Sequence, residues 1–307
     1  MNSASADRRF HFAISGLICF TTVMTALAAS DARAQEGASV FTMKVDGSDV
    51  QQLPRVPGTV WNGSPSYSPD GKTIAFDGSS EVFGGAPTHI FVTSIADPQA
   101  EPKDLGLGSC PAWSRDGKTL IFDMKSNNAA GLKTGVWTMK ADGTQRRWFC
   151  DGERARWSPD GSAVAVSDNY EGSPTLFLHG AKSRRRLLFD KYDRLVGATW
   201  SPDGSKLAFI GMHNKEAELG ILDPNGAKES FAVRWTGNIG WQPAWSPDGK
   251  QILLWVKDDQ GASRLNLIAV EGTEGPREIP GQQGKFNSDA TWSPDGSRIT
   301  FASDRGL

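Results

Sequence analysis

The pentapeptide Trp-Ser-Pro-Asp-Gly occurs four times, at 157–161, 200–204, 245–249 and 292–296. Two altered copies precede them, Tyr-Ser-Pro-Asp-Gly at 67–71 and Trp-Ser-Arg-Asp-Gly at 113–117. The six aromatic residues that open these copies, Tyr67, Trp113, Trp157, Trp200, Trp245 and Trp292, follow one another at intervals of 43 to 47 residues. A repeat of this length means that each copy is one supersecondary unit, which buries its apolar face against the neighbouring copy.

The chemistry of each copy is that of a strand, a tight turn and a second strand. Proline fixes φ for turn position i+1, aspartate suits i+2, and glycine takes the left-handed conformation that closes the turn. Alternating apolar segments such as Lys206-Leu207-Ala208-Phe209 follow it. A second hairpin then appears: 136–140, the turn Ala141-Asp142-Gly143, and 147–149. Equivalent halves lie at 90–105, 175–189, 219–233 and 265–279, and one is displaced. It comprises 40–44, Asp46-Gly47 and Gln52-Leu53, ahead of the first pentapeptide, whereas the last pentapeptide has no second half after it. The two orphans complete each other. The expected fold is all-β, a six-bladed β-propeller of four-stranded antiparallel blades, its ring closed by pairing N-terminal strands with the C-terminal half-blade. The six aromatic anchors are expected to fill the spaces between blades.

The run Ala290-Thr291-Trp292-Ser293-Pro294-Asp295-Gly296, continued by Ile299-Thr300-Phe301 and linked to the Met-x-x-Asp-Gly hairpin, resembles the WD-like repeat of the TolB-like propellers. The resemblance spans 35–307. It implies a monomeric, non-catalytic propeller in the bacterial envelope, periplasmic or secreted. It also implies partners among envelope proteins or peptides, such as the peptidoglycan-associated lipoprotein. The α/β domain that precedes the propeller in TolB is expected to be missing here.

Residues 1–34 read as a secretory signal: Arg8 and Arg9, an apolar run from 10 to 29, then Ala32-Arg33-Ala34. A retained anchor is the competing reading, weakened by His11, Ser15, Thr21, Thr22 and Thr25 within the run. With the signal removed, no transmembrane span is expected. A net charge of −2 gives no reason to expect a nucleic-acid partner. The repeat register places Cys110 and Cys150 on the inner and outer strands of one blade, too far apart for a disulfide unless loops bend inward.

Catalytic signatures are sparse. There is no G-x-S-x-G elbow, and His89, His179 and His213 fall in different repeats. Asp258-Asp259 reads as a solvated loop, so no metal and no cofactor are expected. The alternative is an enzyme acting on a carbohydrate or small molecule in the channel.

A partner is expected on the face that carries the longer connections, at 77–86, 125–133, 169–173, 213–218 and 257–263. One slot departs from the repeat. The residue before each anchor is Ser66, Ala112, Arg156, Thr199, Ala244 or Thr291, so one cation stands among small side chains. Two residues earlier stand Ser64, Cys110, Arg154, Gly197, Gln242 and Asp289. Arg154 and Arg156 are expected to form an anion-accepting patch at the channel mouth, suited to a carboxylate of a peptide or glycan. An internal ion pair is the competing reading. Trp241 and Gln242 enter the fifth blade on the same face, where Trp241 suits a partner anchor. Trp61 and Trp235 also lie outside the repeat anchors. The basic run 182–186 reads as protection of an outer strand edge.

Overall fold

Because every repeat supplies two hairpins, the strands group into fours. The computed structural model describes residues 37–82, 86–97, 99–128, 130–170, 173–180, 184–214, 216–225 and 231–306. The expected signal at 1–34 lies outside the described residues, as do Lys182 and Ser183 of the basic run. From inner to outer strand, blade 1 comprises Trp61–Tyr67, Thr73–Ser79, His89–Ser94 and Lys103–Leu107. Blade 2 comprises Ser109–Trp113, Thr119–Met124, Gly135–Lys140 and Arg147–Cys150. Blade 3 comprises Glu153–Trp157, Ala163–Tyr170, Ser173–Gly180 and Arg184–Leu188. Blade 4 comprises Arg194–Trp200, Leu207–His213, Glu216–Leu222 and Phe231–Gly237. Blade 5 comprises Ala244–Trp245, Gln251–Lys257, Ser263–Ala269 and Arg277–Glu278. Blade 6 joins the two ends of the ring: Asn287–Trp292 and Arg298–Ser303, then Ser39–Lys44 and Gln51–Gln52. The closing register runs antiparallel from Ser39 opposite Ser303 to Lys44 opposite Arg298.

The core is divided among the gaps between blades. Each of the six buried apolar clusters draws its residues from two neighbouring blades: Ile74 and Phe76 of blade 1 pack with Val40 and Leu53 of blade 6, for example. Ile210 of blade 4 packs in the same way with Ile252 of blade 5. Phe76, Phe122, Phe209 and Phe301 hold the same position on four second strands and are fully buried. The anchors cross these gaps as expected. The indole Nε1–H groups of Trp113, Trp200, Trp245 and Trp292 donate to the carbonyl oxygens of Ser66, Arg156, Thr199 and Ala244, each on the preceding blade, at 3.1–3.2 Å. Tyr67 reaches Thr300 of blade 6 through its hydroxyl at 2.7 Å.

The serine of each pentapeptide has a role that the repeat pattern alone did not expose. Its hydroxyl donates to the aspartate carboxylate at 2.6–2.7 Å in all six turns. It also accepts the backbone N–H five residues later at 2.9–3.0 Å. Each turn therefore satisfies its own polar groups, and the hairpin is closed before the blade packs. Cys110 and Cys150, on the inner and outer strands of blade 2, are free and buried. Among the described residues, no helix is long and apolar enough to cross a membrane.

Candidate functional site at the channel mouth

The inner strands do not run straight to the channel mouth. In five blades the pairing with the second strand slips, between Gly63 and Ser66, Ser109 and Ala112, Glu153 and Arg156, Val196 and Ala198, and Ser288 and Thr291. At the same slot of each bulge the backbone is left-handed: Ser64, Cys110, Arg154, Gly197 and Asp289 have φ of 48°, 52°, 55°, 61° and 49°. Left-handed backbone is unusual for residues other than glycine, and bulges of this kind re-aim side chains at strand ends. Only at Gly197 is glycine required by space, since a Cβ there would meet the Trp241 carbonyl oxygen.

Buried carboxylates hold the bulges. Asp77 of blade 1 accepts the Cys110 N–H of blade 2 at 2.8 Å. Asp123 of blade 2 accepts the Arg154 N–H of blade 3 through both oxygens, at 2.9 and 3.1 Å. Asp289 accepts the Ser64 N–H across the gap between blades 6 and 1. Burial pushes all three carboxyls above the usual range; Asp77 reaches about 6, helped by the nearby charge of Asp289.

The guanidinium groups are placed differently. The main chain of Arg154, and not its side chain, meets Asp123, while its Nη1 donates to Gln242 Oε1 at 3.3 Å. Its Nε is buried with no hydrogen-bond partner. Arg156 donates through Nη1 to the carbonyl of Ala155 at 2.8 Å. Among the described residues neither arginine makes an ion pair, so the competing expectation of an internal pair is not met. Burial opposes the charge on Arg154, yet the fields of Cys110, Glu153, Asp289 and Asp123 hold it above the ordinary arginine range. Burial alone dominates at Arg156 and lowers it.

Around this pair stands a neutralised rim. Glu153 binds Arg194 at 2.8 Å and Lys125 at 3.4 Å. Although burial opposes ionisation, Lys125, Arg194 and Arg154 hold the Glu153 carboxyl down at about 2. Trp241 remains 40% exposed, with the guanidinium carbons of Arg154 and Arg194 over its ring at 5.7 and 5.8 Å.

The structure thus brings Arg154, Trp241 and Gln242 together and sets Arg156 and Asp289 within the same electrostatic neighbourhood. The sequence reading missed Asp77, Asp123, Glu153, Lys125 and Arg194. The signal for two of them is visible in the repeat: Asp77 and Asp123 fill a second-strand position that elsewhere holds Ser167, Ile210, Trp255 and Ala302. Elsewhere, His89 pairs with Asp104 and His213 with Asp193 at exposed positions, and His179 packs against Phe149 and Phe177. Asp258 accepts the N–H groups of Gln260 and Ala262 in its own loop. Trp61 packs against Phe286 at 5.1 Å. No group of three or more His, Cys, Asp or Glu side chains suited to a metal ion occurs among the described residues.

Residues 183–306 match the family described as TolB beta propeller domain. An uncharacterised protein of Agrobacterium fabrum is 26% identical over 48% of this chain and 49% of its own length. The Tol-Pal system protein TolB of Ruthia magnifica is 28% identical over 30% of this chain and 19% of its own. The chain therefore spans half or less of the length of these relatives. Among solved structures, a candidate TolB from Agrobacterium tumefaciens superposes with a TM-score of 0.69 at 19% identity, covering 87% of this chain and 98% of the other. TolB from Acinetobacter baumannii gives 0.60 at 18% identity, over 93% and 69%. An oligogalacturonate lyase in complex with manganese gives 0.53 at 15%, over 77% and 73%. At these identities the structural likeness speaks for the fold alone.

Proposed function

We propose, from the premise that this chain is a TolB-like β-propeller, that it is an exported, non-catalytic binding module whose loop face takes a protein, peptide or other cell-envelope component. The observation that carries the reading is the mouth of the channel. There Arg154, without an ion-pair partner and two residues from Arg156 on the same strand, lies over an exposed tryptophan, a combination typical of interface anchors. The relatives named as Tol-Pal system proteins support an envelope setting, and the signal-like segment at 1–34 supports export. Likeness to an oligogalacturonate lyase favours the enzyme alternative only at the level of fold.

The test is affinity capture from an envelope extract with residues 35–307, in three forms: unaltered, Arg154→Ala with Arg156→Ala, and Asp160→Ala on the opposite, turn-bearing face. Capture by the first and third forms but not the second supports the loop-face reading. Equal capture by all three, or loss only in the turn-face variant, refutes it.

A further inference from the structure

We propose that the channel mouth at blade 3 is a receptor for the free C-terminal carboxylate of a peptide, held by Arg154 and Arg156 beside Trp241. The inference rests on the loop-face reading above and gives it a ligand chemistry.

Hydrogen-bond accounting at the mouth leads to a carboxylate. The acids of the cluster are already engaged: Asp77, Asp123 and Asp289 each accept backbone N–H groups of the next blade's bulge, and Glu153 is shared by Lys125 and Arg194. The charges of these four acids balance those of Lys125, Arg154, Arg156 and Arg194, so what is left is hydrogen-bonding capacity: the donors of two guanidiniums on one inner strand, one with a buried Nε that lacks any partner. A planar guanidinium fork matches a carboxylate in two parallel hydrogen bonds, and a desolvated fork gains most from such a partner.

Geometry then selects a chain end. Arg156 lies two residues farther along the inner strand than Arg154, roughly 7 Å deeper by the rise of a strand. Of the ten slots level with the two arginines on other blades, eight hold small residues, among them Ser64, Gly197, Ala112 and Thr199, and the other two hold Gln242 and Asp289. A shaft of that lining admits the end of an extended chain. Trp241 argues for a peptide over a sugar. Its ring already lies under two guanidiniums, at 5.7 and 5.8 Å, so a sugar seeking an open aromatic face would compete with them. The exposed remainder of the ring is left for the last side chain of a peptide. Gln242, tied to Arg154 at 3.3 Å, fixes the fork against the rim.

The experiment uses the chain from 35 to 307 and two mixed-sequence pentapeptide libraries, one with free C termini and one amidated, with galacturonate oligomers as a third probe. Retention of the free-acid library alone, with binding at least about ten-fold weaker in Arg156→Ala, is the expected result. Arg156→Lys keeps the charge but loses the fork, and should be weakened nearly as much. Asp77→Asn retains the acceptor for Cys110 and removes a competing negative charge, so it should bind the free-acid library more tightly, an effect misfolding cannot produce. Equal retention of acid and amide, retention of neither, or preference for the galacturonate oligomers overturns the proposal. If the mouth variant still loses the envelope component while acid and amide peptides behave alike, the loop-face reading stands and the carboxylate inference falls.

Discussion

Replacing Asp77 by asparagine should stabilise the protein at neutral pH and remove a distinct part of its pH dependence. Asp77 is buried, and its carboxyl is pushed up from 3.8 to about 6. Between those two values the folded chain holds a proton that the unfolded chain has released, so stability falls as pH rises through this window. The contribution is fully present below 3.8 and gone above about 6. A shift of about two units corresponds to ~3 kcal/mol at 1.36 kcal/mol per unit. Asparagine keeps the side-chain oxygen that accepts the Cys110 N–H at 2.8 Å. The shift already includes the attraction of Arg154, but asparagine buries an amide N–H2 in place of an oxygen, so the net gain at pH 7 should be roughly 1–3 kcal/mol, or about 3–10 °C in melting temperature for a domain of this size. Glu153, held at about 2, works in the opposite sense, its stabilisation being lost only as pH falls below 4.5. His179, lowered by burial, adds stability as pH rises toward 6.5 from below. Subtracting the melting curve of the unaltered protein from that of Asp77→Asn, measured from pH 4 to 8, isolates Asp77. The difference should grow between pH 4 and 6 and then level off. Two curves running parallel across the whole range would refute the assignment of a buried, proton-holding carboxyl.

The anchors provide an internal control. Trp292→Phe removes an indole N–H that donates to Ala244 O, whereas the Nε1 of Trp157 has no partner; denaturant titration should show Trp292→Phe costing about 1 kcal/mol more than Trp157→Phe. Ser201→Ala deletes a hydroxyl that both donates to Asp203 and accepts the Lys206 N–H, so the same titration should show a loss of about 1–2 kcal/mol. Burial pushes the Cys110 and Cys150 thiols up to about 11 and about 12. Neither should react with a thiol-specific reagent at pH 8 until the protein unfolds, and a reductant should leave the melting temperature unchanged.

Most of the architecture was legible because it repeats. The position of Trp292 in its pentapeptide, the glycine that ends the turn, and the displaced hairpin at 40–53 suffice to count blades and to find the closing partner of the last half-blade. Arg154 and Arg156 stand out for the complementary reason, since they depart from what most other blades hold in the same slots, while Trp241, beside Gln242, stands out as a tryptophan outside the repeat anchors. Lys125, Glu153 and Arg194 could not be found that way. They meet only because the starts of two inner strands and the loop after Met124 converge at the mouth, and no spacing along the chain encodes that convergence. The bulges were hidden too. Nothing in Ser64, Cys110 or Arg154 announces left-handed backbone, because the stabilising donor–acceptor pair lies between blades, as in Asp77 with the Cys110 N–H.

That pairing has a consequence for how binding chemistry can vary on this scaffold. The clamp between Asp123 and blade 3 uses the N–H of residue 154 and not its guanidinium, which meets Gln242 and the Trp241 ring instead. Blade 1 makes the same left-handed bulge with Ser64, blade 2 with Cys110 and blade 4 with Gly197. A guanidinium at 154 therefore contributes nothing that the bulge requires, and its buried Nε costs free energy for want of a partner. Arg154→Ser, which copies blade 1, should preserve the clamp and lower the melting temperature by no more than about a degree or two through the lost attraction to Glu153 and Asp289, while loop-face binding is lost. A fall of several degrees would show instead that Arg154 belongs to the structural frame, held there by Glu153, Asp289 and Gln242, and the case for a ligand at the mouth would lose its main support.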